Sequence, residues 1–181
     1  VLPHPISAEM SVMRVSLLPG LLLALSYNQK RQQSNIKLFE TGLRFTLDPT
    51  EKSGVRQQEM IAGVMSGNVA NEHWTIPSVA LDFFDIKAVA EELIGLGIAN
   101  QDIEFKAEKH TAFHPGQCAG IYKGHKCIGF VGAIHPKLEK GLGLSGKTFA
   151  FELELVSISS RTMPWIKAIS KFPVNRRDIA V

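Results

Sequence analysis

The sequence has few cysteines, little net charge and no long apolar run. Two cysteines among 181 residues fit a reducing compartment rather than a disulfide-stapled secreted domain. The richest apolar stretch, residues 17–25, contains a proline and a glycine and is much shorter than the about 18 residues of a membrane span. Residues 1–5 lack the basic segment of a signal peptide. These absences predict a cytoplasmic globular domain with no membrane partner.

The net charge of +3 permits contact with nucleic acid but does not argue for it. Strong non-specific binders are usually far more basic. Two basic pairs, Lys30-Arg31 and Arg176-Arg177, could either contact phosphate groups or form part of a solvated face. The composition leaves both interpretations open.

The two cysteines, Cys118 and Cys127, flank a predicted tight turn between two strands. The register of such a hairpin places Cys127 opposite Tyr122 and Cys118 opposite Val131. The two sulfur atoms would then lie roughly 13 Å apart along the ladder. A disulfide requires Cα atoms within about 7 Å of each other. Both cysteines are therefore predicted to be free and to act as small apolar packing residues.

The ends of the sequence do not resemble natural termini. The chain begins without methionine, and residues 176–181 resemble the start of a strand that is cut before its apolar face could be buried. We therefore expect a domain excised from a longer protein.

Hydrophobic periodicity and turn residues predict an α+β fold. Ser16 can cap the first helix, whose leucines recur at helical spacing, and Asp85 can cap the second. Trp74 is expected to anchor the irregular segment 68–78. Strands outnumber helices, which favours an antiparallel sheet with helices packed on it. The predicted helices are 16–32, 85–93 and 136–141, and the predicted strands are 36–45, 59–65, 103–108, 120–123, 127–133 and 148–156.

Two motifs suggest chemistry, but their contexts argue against it. His110 and His114 have the i, i+4 spacing of metal ligands on a helix, yet the Pro-Gly pair that follows predicts a turn leading into a strand. Residues 141–148 satisfy the pattern G-x-x-x-x-G-K-[ST], but they precede a strand, so the helix N-terminus that would hold a phosphate is missing. A Ser/His/Asp triad stays open, since its members meet only in space, although no G-x-S-x-G elbow is present.

Five sequence segments carry a more specific signal. They are MRVSLLPGLL (13–22), N…LFETG (28–42), FFDIK (83–87), HPGQ followed by IGFVGAIHP (114–136) and FPVNRRD (172–178). In order and spacing they resemble segments of the β chains of bacterial phenylalanine–tRNA ligases. Gln117 stands where that family often has arginine. The residues that carry the resemblance are Arg14, Pro19, Glu40, Gly42, Asp85, His114, Pro115, Gly116, His135 and Pro136.

The resemblance implies a class II aminoacyl-tRNA synthetase fold in a subunit that does not itself perform aminoacylation. It implies an N-terminally truncated catalytic-like module at residues 1–165, followed at 166–181 by a linker and the start of a ferredoxin-like anticodon-binding domain. It further implies an (αβ)2 assembly with an α subunit, a second β subunit and tRNA(Phe). ATP and magnesium would belong to the parent complex and not to this fragment. Lys171, Arg176 and Arg177 are possible tRNA contacts.

The strand predicted at 148–156 supports the loss of catalysis. Class II catalysis requires arginines on the sheet to hold the ATP phosphates. This strand instead offers Glu152 and Glu154, which would repel a triphosphate, and no arginine. Arg44, at the far end of strand 36–45, does not make a site alone. No catalytic, substrate-binding or metal-binding residue is therefore predicted.

The leading hypothesis is a non-catalytic scaffold that organises the α subunit through an interface and helps to position tRNA. The predicted interface comprises the helix 16–32 and the strand pair 36–45/59–66. One alternative is an active enzyme of the same fold, which needs an arginine beside a nucleotide-sized pocket. A second is a stand-alone tRNA-binding or RNA-binding module that uses the basic residues Lys30, Arg31, Lys171, Arg176 and Arg177.

Overall fold

A computed structural model describes residues 4–5, 11–97, 103–159 and 177. Its elements in chain order are α1 (Leu18–Gln29), β1 (Ile36–Leu47), β2 (Val55–Ser66), α2 (Phe83–Gly97), β3 (Ile103–Ala107), β4 (Phe113–Lys123), β5 (Lys126–Ile134), α3 (Pro136–Leu142), β6 (Thr148–Glu154) and α4 (Leu155–Ile158). The six strands form one sheet in the order β1-β2-β6-β5-β4-β3, and all neighbouring pairs are antiparallel. The predicted α+β architecture is confirmed. Within the described ranges, no helix is long and apolar enough to cross a membrane.

Helices cover both faces of the sheet. On one face α2 packs over a core that includes Phe149, Phe151 and Leu153 of β6. On the other face α1 packs over a core that includes Ala150 of β6. Side chains alternate along a strand, so Glu152 and Glu154 lie on the same face as Ala150, which is the face that α1 covers. The sequence therefore places the acidic residues of β6 beneath α1 rather than beneath α2.

Helix α1 is shorter than predicted. It begins at Leu18 instead of Ser16, although the Ser16 hydroxyl accepts a hydrogen bond from the Leu18 N–H at 3.1 Å. It ends at Gln29 rather than at Gln32. Gln32 has a left-handed φ of 64°, which is incompatible with a right-handed helix at that residue. The predicted apolar stripe is confirmed, since all of its members are buried: Leu17, Leu18, Leu21, Leu22 and Leu25.

Helix α2 is capped by Asp82 and not, as predicted, by Asp85. The Asp82 carboxylate accepts the N–H of Phe84 at 2.7 Å and that of Asp85 at 3.2 Å. The Asp85 carboxylate accepts the N–H of Asp82 at 2.7 Å in return. This reciprocal arrangement is a capping box with aspartate at both positions. The helix also continues past Leu93 to Gly97.

The strands are mostly longer than predicted. Strand β2 begins at Val55 rather than at residue 59, and β3 ends one residue early, at Ala107. The segment 114–116 is not a turn before β4, because β4 begins at Phe113 and its pairing with β5 is interrupted by a bulge between residues 113 and 118. Strand β6 ends at Glu154 instead of residue 156, because the chain turns into α4.

The cysteine prediction is confirmed in part. Both thiols are free, and Cys127 lies opposite Tyr122 as expected. Cys118 lies opposite Gly132 rather than Val131, because the register shifts by one residue near Tyr122. Cys118 is buried, and its burial, together with the nearby charge of Glu108, raises the pKa of its thiol to about 11. Cys127 is exposed, so its predicted packing role is wrong.

Two other expectations have opposite outcomes. Trp74 does not anchor its segment, since 91% of its surface is exposed. The prediction that residues 141–148 lead into a strand is confirmed. Gly143 ends α3 in the left-handed conformation, Gly146 also has positive φ, and the chain enters β6 directly. No helix follows the glycines, so the segment lacks the anion-binding helix N-terminus of a phosphate loop.

Candidate functional site

Glu152 holds the beginning of α1 against the sheet. Its carboxylate accepts the Leu17 N–H at 2.7 Å and the Ser16 hydroxyl at 3.0 and 3.1 Å. Glu152 is 9% exposed, and its carboxylate lies at the positive end of the helix dipole. The acidic strand therefore contributes a side chain that is already committed to the fold, over a sequence separation of 136 residues.

Glu154 belongs to a polar network that crosses four strands. Its carboxylate accepts Gln58 Nε2 at 3.3 Å and is bonded to the Lys126 ammonium and the Ser157 hydroxyl. Gln58 in turn accepts Arg44 Nε at 3.0 Å. Arg44, the one arginine of strand 36–45, thus donates into a network that ends on a carboxylate.

The network makes stability depend on pH in a defined direction. Burial acts to raise the pKa of Glu154, but hydrogen bonds from Lys126, Ser157 and Gln58, with the charge of Lys126, outweigh it and hold that pKa below its usual 4.5. The stabilisation is therefore present above about pH 4.5 and is lost as the pH falls through the lowered pKa. In urea unfolding, the wild-type chain should exceed Glu154→Gln in stability at pH 7, and the difference should shrink below about pH 4.5. A difference that stays constant from pH 7 to pH 3 would contradict the network.

An open groove of about 500 Å³ lies beside the start of α1. Its walls are largely apolar, and its charged or titratable lining groups are Arg44, His110 and Glu152. Burial lowers the pKa of His110 against the opposing charges of Glu152 and Glu108, so its neutral form is favoured. One arginine already bonded to Gln58, one neutral imidazole and one carboxylate do not suit a triphosphate with its magnesium ion.

Three of the residues that carry the resemblance form one cluster on β1. Arg14 Nη1 pairs with Glu40 Oε1 at 2.5 Å, and Arg14 Nε donates to the Leu43 carbonyl at 2.8 Å. The guanidinium lies directly over Gly42, where an added Cβ would overlap Nη2 and lie 3.3 Å from Cζ. Glycine at position 42 is therefore explained by the space that the arginine needs.

The histidine-proline pairs shape local backbone. His114 Nδ1 accepts the N–H of Gly116 at 3.1 Å within the bulge of β4. His135 is the N-cap of α3, where Nδ1 accepts the N–H of Lys137 at 3.1 Å and Pro136 occupies the first turn. Both imidazoles thus act as hydrogen-bond acceptors for the chain, in the way that shorter polar side chains do in turns.

Comparison with known proteins identifies the family of this chain. The family sequence model for the phenylalanyl tRNA synthetase beta chain CLM domain matches residues 1–155. The chain belongs to this family. Phenylalanine–tRNA ligase β subunits from Shewanella oneidensis and Yersinia pestis are 53% and 49% identical to it over 181 residues, which is all of this chain and 23% of each relative. The CLM-domain chain therefore spans about a quarter of the length of the curated relatives that it matches, and the predicted family is confirmed.

The fold of the CLM-domain chain is that of a class II tRNA synthetase. A solved structure of Desulfitobacterium hafniense PylSc, a pyrrolysyl tRNA synthetase, superposes with a TM-score of 0.57 over 80% of this chain and 47% of that chain. A second structure of pyrrolysyl-tRNA synthetase from the same organism gives 0.55 over 80% and 48%. The sequence identities of 14% and 12% make this a likeness of fold alone.

The remaining predicted residues of the CLM-domain chain are scattered. Pro19 lies in the first turn of α1 and Asp85 in the first turn of α2. Arg177 is exposed, whereas Lys171 and Arg176 lie outside the described residues. In the part of the chain that the structure describes, no three His, Cys, Asp or Glu side chains are close enough to hold a metal ion.

The sequence did not predict the three residues that bind the Glu154 carboxylate: Gln58, Lys126 and Ser157. The alternation of β6 indicates that its two glutamates share a face, but nothing local indicates which groups meet them. Gln58 lies directly opposite Arg44 in the β1–β2 ladder, so a correct hairpin register could have identified that pair.

Proposed function

We propose that the chain is a non-catalytic structural module of the β subunit of a phenylalanine–tRNA ligase. It would support the ATP-dependent charging of tRNA(Phe) with phenylalanine by the α subunit, through the subunit interface and by positioning tRNA. The observation that carries the proposal is the structural commitment of Glu152 and Glu154 on the sheet. Carboxylates on this strand would repel the phosphates of a nucleotide, which arginines would bind.

The rest of the assembly follows from this proposal. The α subunit, a second β subunit and tRNA(Phe) would be the partners in a cytoplasmic (αβ)2 complex. ATP and magnesium would bind to the α subunit, since the groove beside α1 does not fit them. Residues 1–165 would form the module, and residues 166–181 would lead into the anticodon-binding domain.

The edge of the sheet supports an interface at α1 and the β1–β2 pair. Strand β1 is an edge strand, and it exposes the large apolar side chains of Phe39 and Leu47. Helix α1 exposes Leu23 on its outer side. A long edge strand with exposed apolar groups is an aggregation hazard unless a partner covers it. Phe39 and Leu47 alternate with Leu38, which packs in the core beneath α1, so both lie on the sheet face of α2. An α subunit docked along the edge of β1 would cover them from that face, and it would contact Leu23 only by extending around the edge.

Co-purification with the matching α subunit tests the proposal. The tagged 181-residue chain, co-expressed with α, should retain α through gel filtration. The substitutions Phe39→Ser and Leu47→Ser on β1 should together weaken retention, because they remove apolar area from the proposed interface. The matched control is Trp74→Ser with Leu96→Ser, which removes two comparably exposed apolar side chains elsewhere.

Two outcomes would contradict the proposal. One is a chain that never retains the α subunit. The other is pyrophosphate exchange by the chain without α, which would identify it as an enzyme in its own right.

A further inference from the structure

Basic side chains gather at one end of the molecule, around the C-terminus of α1 and the helix α3 with the loop that follows it. The basic end comprises Lys30, Arg31, Lys137, Lys140 and Lys147, all of which are exposed. The single acidic residue among residues 26–35 and 137–148 is Glu139. Its carboxylate is committed to the fold, since it accepts the Thr148 N–H at 2.8 Å.

Hydrogen bonds fix the two segments of the basic end against each other. The Gln29 side-chain amide donates to the Ser145 carbonyl and accepts the Ser145 N–H, each at 2.9 Å. Gln29 also donates to Ser66 at 3.2 Å, and Ser66 donates to the carbonyl of Lys147 at 3.3 Å. Ser26 donates to the Leu142 carbonyl at 3.0 Å. The cations that follow Gln29 are therefore held close to those of residues 140–147 by the fold.

The charge of the basic end is not neutralised locally. In the described part of the chain, the four ion pairs involve Arg14, Lys87, Lys106 and Lys126, and none of these belongs to the basic end. Outside residues 26–35, 137–148 and 160–181, the sequence has 15 acidic residues and 10 basic ones. The positive surface is thus local, on a body that is otherwise acidic. Such a surface attracts a polyanion in one orientation.

An aromatic ring lies among these cations. Tyr27 is 56% exposed, and the guanidinium carbon of Arg31 lies 3.4 Å from the centre of its ring. Nucleic-acid surfaces combine phosphate-binding cations with exposed aromatic rings and arginine planes on which bases stack. An acidic peptide would use the cations but would gain little from the ring.

We propose that the basic end binds the phosphate backbone of tRNA. The inference rests on the proposed function for the choice of RNA, and it assigns to the module tRNA contacts other than the residues predicted at 171–177. Lys30, Arg31, Lys140 and Lys147 contact phosphates, and Tyr27 with Arg31 offers a stacking platform at the border of the surface.

The test is the binding of fluorescein-labelled tRNA(Phe) to the 181-residue chain, followed by anisotropy from 50 to 200 mM salt. The variant Lys30→Gln, Arg31→Gln, Lys140→Gln, Lys147→Gln should bind about tenfold or more weakly at 50 mM salt, and the slope of log affinity against log salt should fall by about 3. The control Lys52→Gln, Arg56→Gln, Lys109→Gln, Lys123→Gln removes the same charge elsewhere and should stay within about twofold of the wild type. Equal thermal unfolding midpoints would show that both variants are folded.

Three results would overturn the inference. The first is equal loss in both variants, which would indicate net charge alone. The second is tRNA affinity unchanged in the basic-end variant, and the third is displacement of the tRNA by poly-glutamate at equal charge concentration. None of these would affect co-purification with the α subunit, so a failure here is distinguishable from a failure of the proposed function.

Discussion

Replacing Glu152 with alanine should lower the free energy of unfolding by about 2–4 kcal/mol. The substitution removes the acceptor of the Leu17 N–H, which stays buried, and of the Ser16 hydroxyl. A charge-assisted hydrogen bond contributes about 1.5–3 kcal/mol, and a buried donor left without a partner costs about 1–3 kcal/mol. Urea unfolding of the 181-residue chain measures the loss. Amide exchange should accelerate at the start of α1 more than in α2.

The matched control is Glu51→Ala in the loop between β1 and β2, where the side chain is exposed. Its effect should stay within about 0.5 kcal/mol, as for most surface substitutions. A comparably small effect of Glu152→Ala would mean that the glutamate does not hold α1. It would then be free to act as a ligand-facing carboxylate.

The substitution Gly132→Ala should also be strongly destabilising, by about 2–3 kcal/mol, as for overpacking of a close-packed core. An added Cβ would lie 3.0 Å from the Cα of Cys118 and 3.1 Å from Cδ1 of Phe113, and still closer to the carbonyl oxygen of Gln117. These atoms flank the bulge of β4, which bends over β5 at this point. The glycine therefore permits the bulge.

Gly141→Ala is the control for this prediction. It places the same methyl group in α3, where nothing lies within 4 Å and φ is not positive. Alanine favours a helix over glycine by about 1 kcal/mol, so this variant should be neutral or slightly more stable in the same urea titration. A Gly132→Ala chain as stable as wild type would show that β4 can shift away from β5 without loss.

The periodic parts of the fold could be predicted from the sequence. The leucine stripe of α1 and the arrangement of polar and apolar residues within the strands are local patterns, and the structure follows them. Helix boundaries were less predictable, because Asp82 and Asp85 can both cap a helix and only the folded chain selects the pair. The Pro-Gly pair of β4 predicts a turn from the sequence but forms part of a bulge, because bulges and turns use the same residue types.

The candidate site was predictable in composition but not in its contacts. The absence of arginine from β6 is visible in the sequence, and so is the presence of two glutamates. Their partners are not, since Ser16 is 136 residues away from Glu152 and Lys126 is 28 residues away from Glu154. The resemblance identified Arg14 and Gly42, but only packing explains why glycine stands beneath that guanidinium.

The most direct test of the central claim is calorimetric titration of the 181-residue chain with ATP and magnesium. If Glu152 and Glu154 are committed to the fold, no binding should be detected up to millimolar nucleotide. When an excess of the α subunit is added, ATP binding should appear, and it should occur at the site of the α subunit. Tight ATP binding by the chain alone, lost on substitution of Arg44, would contradict the account.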